Sequence, residues 1–220
     1  MMAEEQRNQY QITRKDARNC FVESLNDAFG LEKIHFTFAT YDISRPVGKR
    51  QTNNIGIYIA TDEFLELCRK LECGELKFIM QQRQQKKDSS PIFESLGGTS
   101  SERLKAMGKP RADGKSISRT IKLIIGERSD FLLIADSGPG EQTKTGLIVP
   151  KFGNKPENHV AVSMTFQTLS ELLLLTKAHY FAWRTAWYQS CFEELNKNKS
   201  SDKKQGQKKS AETQGFFSTD

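Results

Sequence analysis

The chain has 220 residues, 36% of them hydrophobic, with a formal charge of +6, enough for one ample domain or two small ones. A mean hydropathy of -0.61 is low for a chain packed from end to end, so part of it is expected to be loop or tail. Early Glu4, Glu5 and Arg7 argue against a secretory signal, and the scattered Cys20, Cys68, Cys73 and Cys191 read as reduced thiols in a cytosol-like compartment.

In chain order, residues 1–12 are polar and read as a flexible N-terminus. Residues 13–29 read as a helix, with Ala17, Cys20, Phe21, Leu25 and Ala28 along one side and Gly30 as its stop. Residues 33–41 alternate, Ile34, Phe36 and Phe38 against His35, Thr37, Ala39 and Tyr41, which predicts a half-buried strand. The polar connection 42–54 carries Arg45, Lys49 and Arg50 and reads as a hairpin loop. Ile55, Ile57 and Ile59 form a second strand, with Tyr58 on its outward face. It feeds a helix over 62–71 with Asp62 and Glu63 in its first turn, where the helix dipole favours acids. After Gly74, Leu76, Phe78 and Met80 alternate with Lys77, Ile79 and Gln81, which predicts another strand.

Residues 82–117 read as a long basic loop, apart from a short helix over 101–107 stopped by Gly108. From Gln82 to Lys122 there are ten basic residues against four acids. Residues 118–126 and 130–136 predict paired strands, Ser137-Gly138-Pro139-Gly140 a turn, and 145–151 a further strand. Val160, Val162 and Met164 then alternate into a long helix, with Thr168 and Glu171 as a capping box and Thr165 as an alternative cap one turn earlier. One helix face carries Leu169, Leu172, Thr176, Tyr180, Trp183, Trp187 and Cys191. A second carries Leu174, Ala178, Phe181, Tyr188 and Phe192. A helix apolar on two sides is buried on two sides; one side covers the chain's own sheet, and the second predicts a homo-oligomer. Lys177, His179 and Arg184 interrupt the run well short of the ~20 apolar residues of a membrane span. Residues 196–220 read as a disordered basic tail, with Phe216 and Phe217 as a docking hook or an incidental pair.

These elements give an α+β fold: twisted antiparallel sheets from two strand-then-helix halves, about 33–81 and 118–195, a long C-terminal helix and an extra N-terminal helix. The expected organisation is a single domain over 13–195. No catalytic grouping, metal-like histidine spacing or phosphate loop stands out, so a non-enzymatic protein with no cofactor is expected. Concentrated positive charge points to a polyanionic partner. Tyr41 and Tyr58 are candidates for base stacking, with Lys77, Arg83 and Lys122 on strands or their ends. Arg45, Lys49, Arg50, Lys86, Lys87, Arg111, Lys115 and Arg119 are candidates for an electrostatic rim.

The order of elements resembles that of the Whirly family and the related positive-cofactor-four-like single-stranded DNA-binding domains. The residues that carry it are 55–71 followed by 75–80, then 118–136, then 159–187, with Ser163-Met164-Thr165-Phe166 leading through Leu175 to Trp183. The chain departs from the family in lacking a Lys-Gly-Lys-Ala-type motif and in showing two clear strands, not four, before its first helix. The resemblance implies single-stranded nucleic-acid binding with little sequence preference and assembly through helices. Single-stranded DNA is the expected partner. RNA is the alternative on the same fold, and a protein-interaction scaffold is a third reading. The expected location is cytoplasmic or nucleoid-associated, or organellar in a eukaryote.

Overall fold

The structure is a computed structural model that describes residues 9–153 and 155–214, with side chains described as far as Leu195. It is α+β, with two antiparallel sheets and a long C-terminal helix. The chain divides into two compact units, Met1–His179 and Tyr180–Asp220.

In the first unit, β1 (Gln11–Ala17) and β2 (Cys20–Leu25) form a hairpin where a helix was expected. Only Arg18 and Asn19 separate the strands, and Asn19 takes the left-handed conformation at φ 60° that such a tight reversal needs. The apolar residues fit either period, but Phe21 and Val22 are adjacent and both buried. A strand buried on both faces provides for that; a helix with one apolar side does not. A short 3-10 turn, Phe29–Leu31, leads to β3 (Lys33–Tyr41) and β4 (Gln51–Ala60), which complete a sheet in the order β1-β2-β3-β4. Val22 stands opposite Phe38, and Phe36 opposite Ile57. Val22, Ile34, Phe36, Phe38, Ile55, Ile57 and Ile59 therefore make one buried face.

β4 passes directly into α1 (Thr61–Glu72), whose stripe of Phe64, Leu67, Cys68 and Leu71 is buried. The Phe64 ring lies 6.1 Å from Phe36 on the sheet's buried face. Gly74, at φ 80°, then reverses the chain into α2 (Glu75–Lys86), where a strand was expected. Leu76 and Met80, four apart, are buried, whereas Phe78 between them is 59% exposed. The alternation of three large residues concealed a helical pair. Lys77 and Arg83 therefore stand on a helix and not on strands.

The segment expected as continuous loop also has structure. It contains β5 (Phe93–Thr99) and α3 (Ser101–Ala106), the latter capped by Ser100 and ended at Gly108, φ 68°. β6 (Ser116–Ile125), β7 (Phe131–Gln142) and β8 (Ile148–Pro150) continue a second sheet, and β9 (Asn158–Met164) pairs with β7. Gly138-Pro139-Gly140 lies inside β7 and is not a turn. A Cβ at Gly140 would stand 2.7 Å from Ile148 Cγ2 and 2.8 Å from Ser118 Cβ, so the glycine permits a close approach within the sheet. The strand expected over 145–151 shrinks to three residues because Thr143 to Gly146 form a turn closed by a 3.0 Å hydrogen bond.

α4 runs over Phe166–Gln214. Its cap is Thr165, whose hydroxyl accepts the Thr168 amide at 3.1 Å; Asp130 accepts the Phe166 amide at 2.7 Å. Thr168 lies in the first turn, and Glu171 pairs with Lys15 of β1 instead of closing a capping box. In the first unit, Leu169, Leu172, Leu173 and Thr176 are buried, and the Thr176 hydroxyl donates to Ser24 at 2.7 Å. The Lys177 ammonium pairs with Glu72 of α1 at 2.6 Å. Among the described residues, no helix is long and apolar enough to cross a membrane. Phe216 and Phe217 lie outside the described residues.

Candidate nucleic-acid interface

β4 is the last strand of the first sheet and β5 the first of the second. Both edges border a groove of about 700 Å³ within the first unit. Gly56, Ile57 and Tyr58 line one side, and Ser95 to Thr99 the other. Leu31, Lys33, Arg103, Met107 and Arg119 complete it. Gly97 has no side chain to place on the β5 wall, while a Cβ at Gly98 would meet the Ile117 carbonyl and the Ile148 side chain.

Arg119 is the central charge. It sits on β6 between Gly97 and Ser137 in register, and its guanidinium donates to the Thr99 hydroxyl at 3.0 Å. Burial pulls its pKa below the ordinary arginine value, and the nearby Tyr58 acts weakly the other way. No carboxylate pairs with Arg119, Lys33 or Arg103 among the described residues. A partly desolvated guanidinium with one neutral hydroxyl partner retains most of its capacity to bind an anion.

Tyr58 supplies a flat aromatic surface. It is 49% exposed, and its inner side stacks on His35 at 4.2 Å and 15°. The imidazole is held in turn, with Nδ1 2.8 Å from Asp27 Oδ1 and 3.1 Å from Oδ2. Gly56 leaves room for it, since a Cβ there would lie 3.1 Å from His35 Nε2. Burial raises the Tyr58 phenol pKa, as does the Asp27 charge, while Arg119 opposes both. Tyr58 is thus a buttressed ring beside an unneutralised cation, a combination suited to one base and its phosphate.

The other sequence candidates do not gather at this groove. Tyr41 is half-buried, its ring 6.3 Å from Phe21 and its hydroxyl donating to the Ala17 carbonyl at 3.5 Å. Arg45, Lys49 and Arg50 occupy the β3–β4 loop, at the end of β4 remote from Tyr58. Arg45 faces Asp42 at 3.4 Å, and Arg50 Nε donates to the Arg45 carbonyl at 3.3 Å. Lys77 is exposed on α2. Arg83 bonds the Ser90 carbonyl and hydroxyl, and Lys86 and Lys87 stand exposed at the end of the same helix.

Arg111 is engaged by both Asp113, at 2.9 Å, and Glu157, at 2.7 Å, which raises its pKa further. Lys115 is exposed just before β6. Lys122 alternates with Arg119 onto the opposite face of its sheet and pairs with Glu94 at 3.3 Å. Tyr58 and Arg119 are therefore the two candidates that the fold brings together at this groove. Lys33, His35, Asp27, Thr99 and Arg103 join them without having been singled out; the paired glycines at 97–98 were the one signal in the sequence.

On the second apolar face of α4, Leu174 is 38% exposed and Ala178 is exposed in the first unit. In the second unit, Phe181, Tyr188 and Phe192 are 45%, 43% and 64% exposed. Comparison with protein-family models, curated proteins and solved structures finds no match for this chain.

Proposed function

We propose that the protein binds single-stranded DNA without catalysing a reaction, in the groove between β4 and β5, and that it self-associates through α4. The observation that carries this reading is Arg119: a partly buried cation with no carboxylate pair among the described residues, next to a Tyr58 ring buttressed from behind. A strand threading the groove brings a phosphate to Arg119 and a base to Tyr58, with Lys33 and Arg103 as further cations on the groove lining. Stacking of one base contributes roughly 1–3 kcal/mol, and each phosphate contact adds a salt-dependent term. The first half has four strands before α1, where two were expected.

The test is a fluorescence-anisotropy titration with labelled oligo-dT, a duplex of equal length and a matched RNA, repeated over a range of salt. Tight, salt-sensitive binding to oligo-dT over duplex is expected. Equal weak binding to all three would reduce the interaction to general basicity, and preference for the matched RNA would move the assignment to RNA.

A further inference from the structure

We propose that α4 joins two copies of this chain as a parallel two-stranded coiled coil, through the seam Phe181, Thr185, Tyr188, Phe192 and Leu195. This deepens the self-association in the reading above and rests on it. The evidence is spacing. From Phe181 the seam advances by four, three, four and three residues, and the same alternation runs back in sequence through Ala178 to Leu174. A free helix repeats every 3.6 residues, so an apolar row kept at 3.5 is matched to a partner helix of the same period. A second copy brings that period by construction.

The seam is open along its whole described length. Phe181, Tyr188, Phe192 and Leu195 are 45%, 43%, 64% and 55% exposed. Thr185 turns its hydroxyl back onto the Phe181 carbonyl at 2.9 Å, which satisfies that group within the helix and leaves its methyl outward. A fully buried aromatic side chain removes roughly 150–250 Å² from water, so a half-exposed one still has about 100 Å² to lose. The seam then covers on the order of 500 Å² per copy, and the pair reaches the ~1,000 Å² lower bound of a specific interface.

Charge selects the direction. Phe181, Tyr188 and Leu195 take one core position of the heptad, and Thr185 and Phe192 the other. Arg184 and Cys191 flank the seam on one side, with Ala182 and Gln189 on the other. Arg184 donates to the hydroxyls of Tyr180 at 2.6 Å and Tyr188 at 3.0 Å, and has no carboxylate partner among the described residues. A parallel pair sets each Arg184 beside Gln189 of the other copy. The Gln189 amide already donates to Glu193 at 3.3 Å, so its carbonyl is free to accept and an acid stands behind it. An antiparallel pair instead brings like flanks together and places the two arginines on one side of the seam.

The experiment measures mass by light scattering on the full chain at micromolar concentration. The expected mass is twice the 25.0 kDa chain, falling to one chain for Tyr188→Glu and for Phe192→Glu, with helical circular dichroism retained. Direction is read from Phe192→Cys in a chain also carrying Cys73→Ser and Cys191→Ser: mild oxidation should give a disulfide-linked dimer. A monomeric wild-type chain, or a dimer in which Phe192→Cys fails to cross-link, overturns the proposal. Oligo-dT binding is measured on the same samples. A monomer that binds oligo-dT sinks the seam and leaves the groove reading standing; a cross-linked dimer that does not bind sinks the groove reading and leaves the seam.

Discussion

Replacing Arg119 by Met separates a binding role from a packing role, because the two predict opposite balances of stability and affinity. In the folded chain the guanidinium gains one hydrogen bond, to Thr99 at 3.0 Å, worth about 1 kcal/mol. Against this stands the cost of holding a charge partly out of water with no carboxylate pair among the described residues, the same desolvation that lowers its pKa. Met keeps the aliphatic bulk and removes the cost, so stability should be unchanged or higher. A gain of 1 kcal/mol would raise Tm by ~2–4 °C in a domain of this size.

Affinity should move the other way. A charge-assisted hydrogen bond to phosphate contributes about 1.5–3 kcal/mol, so Kd for oligo-dT should rise by roughly ten- to one-hundredfold. The slope of log K against log salt should also become shallower by about 0.7, the value of one single-strand phosphate contact. Thermal unfolding followed by circular dichroism, with anisotropy at four or more salt concentrations, gives all three quantities. A variant that melts several degrees lower yet binds oligo-dT like the wild type would show that Arg119 is structural, and the groove would lose its central charge.

Gly56→Ala should push His35 from beneath Tyr58, since the added Cβ falls 3.1 Å from His35 Nε2. We expect a stability loss of about 1 kcal/mol and several-fold weaker oligo-dT binding with an unchanged salt slope; a changed slope would count against Tyr58 acting as a stacking surface alone. Asp113 is held down to about 2 by Arg111 and the Lys115 amide, from an ordinary 3.8. A carboxylate with a depressed folded pKa contributes stability above its unfolded pKa and loses it as pH falls through the folded one. The Tm advantage of wild type over Asp113→Asn should therefore be full above about pH 5, fall as pH drops through about 2, and be gone about one unit lower; an advantage constant across that range would refute the pairing. Burial pushes the Cys68 thiol up to about 12, while Cys73 is exposed. Mass-spectrometric mapping after brief alkylation of the native protein at pH 8 should find Cys73 modified and Cys68 untouched until denaturant is added.

Where an element was legible in the sequence, two local signals agreed. β3 alternates as a strand, though both of its faces are buried from Ile34 to Ala39 where a half-buried strand was expected; β4 runs into acids at the start of α1, and β9 leads to a hydroxyl cap at α4. Where it was not legible, two periods fitted the same residues. The spacing of Phe21, Val22 and Leu25 fits helix and strand alike, and the hairpin is decided by the left-handed Asn19 and by burial of the adjacent Phe21 and Val22. Leu76, Phe78 and Met80 alternate as in a strand, yet Phe78 is the one that faces water. The site was less legible still. Arg111 and Glu157 are far apart in sequence, so the cation could not be seen to be neutralised. The meeting of Gly56 and Tyr58 with Gly97 and Arg119 depends on two sheets that exchange no local signal.

That contrast bears on how a basic chain is read for function. Exposed lysines at 86, 87 and 115 each count as much as Arg119 in the formal charge, but each is solvated and screened over about 10 Å at 0.1 M salt, so their separate contributions to binding should be small and alike. Lys122 and Arg111 spend their charge on Glu94, Asp113 and Glu157. Arg119 adds only one unit to the total, yet it alone among the thirteen candidates combines burial, a neutral partner and an aromatic neighbour with an open face. An anion reaching it meets a cation whose water is already partly removed, in surroundings of lower dielectric, where the attraction per charge is several times its value at the surface. In the proposed binding mode the cation that contributes most is therefore one the charge count could not distinguish, because its distinction lies in what the fold withholds from it.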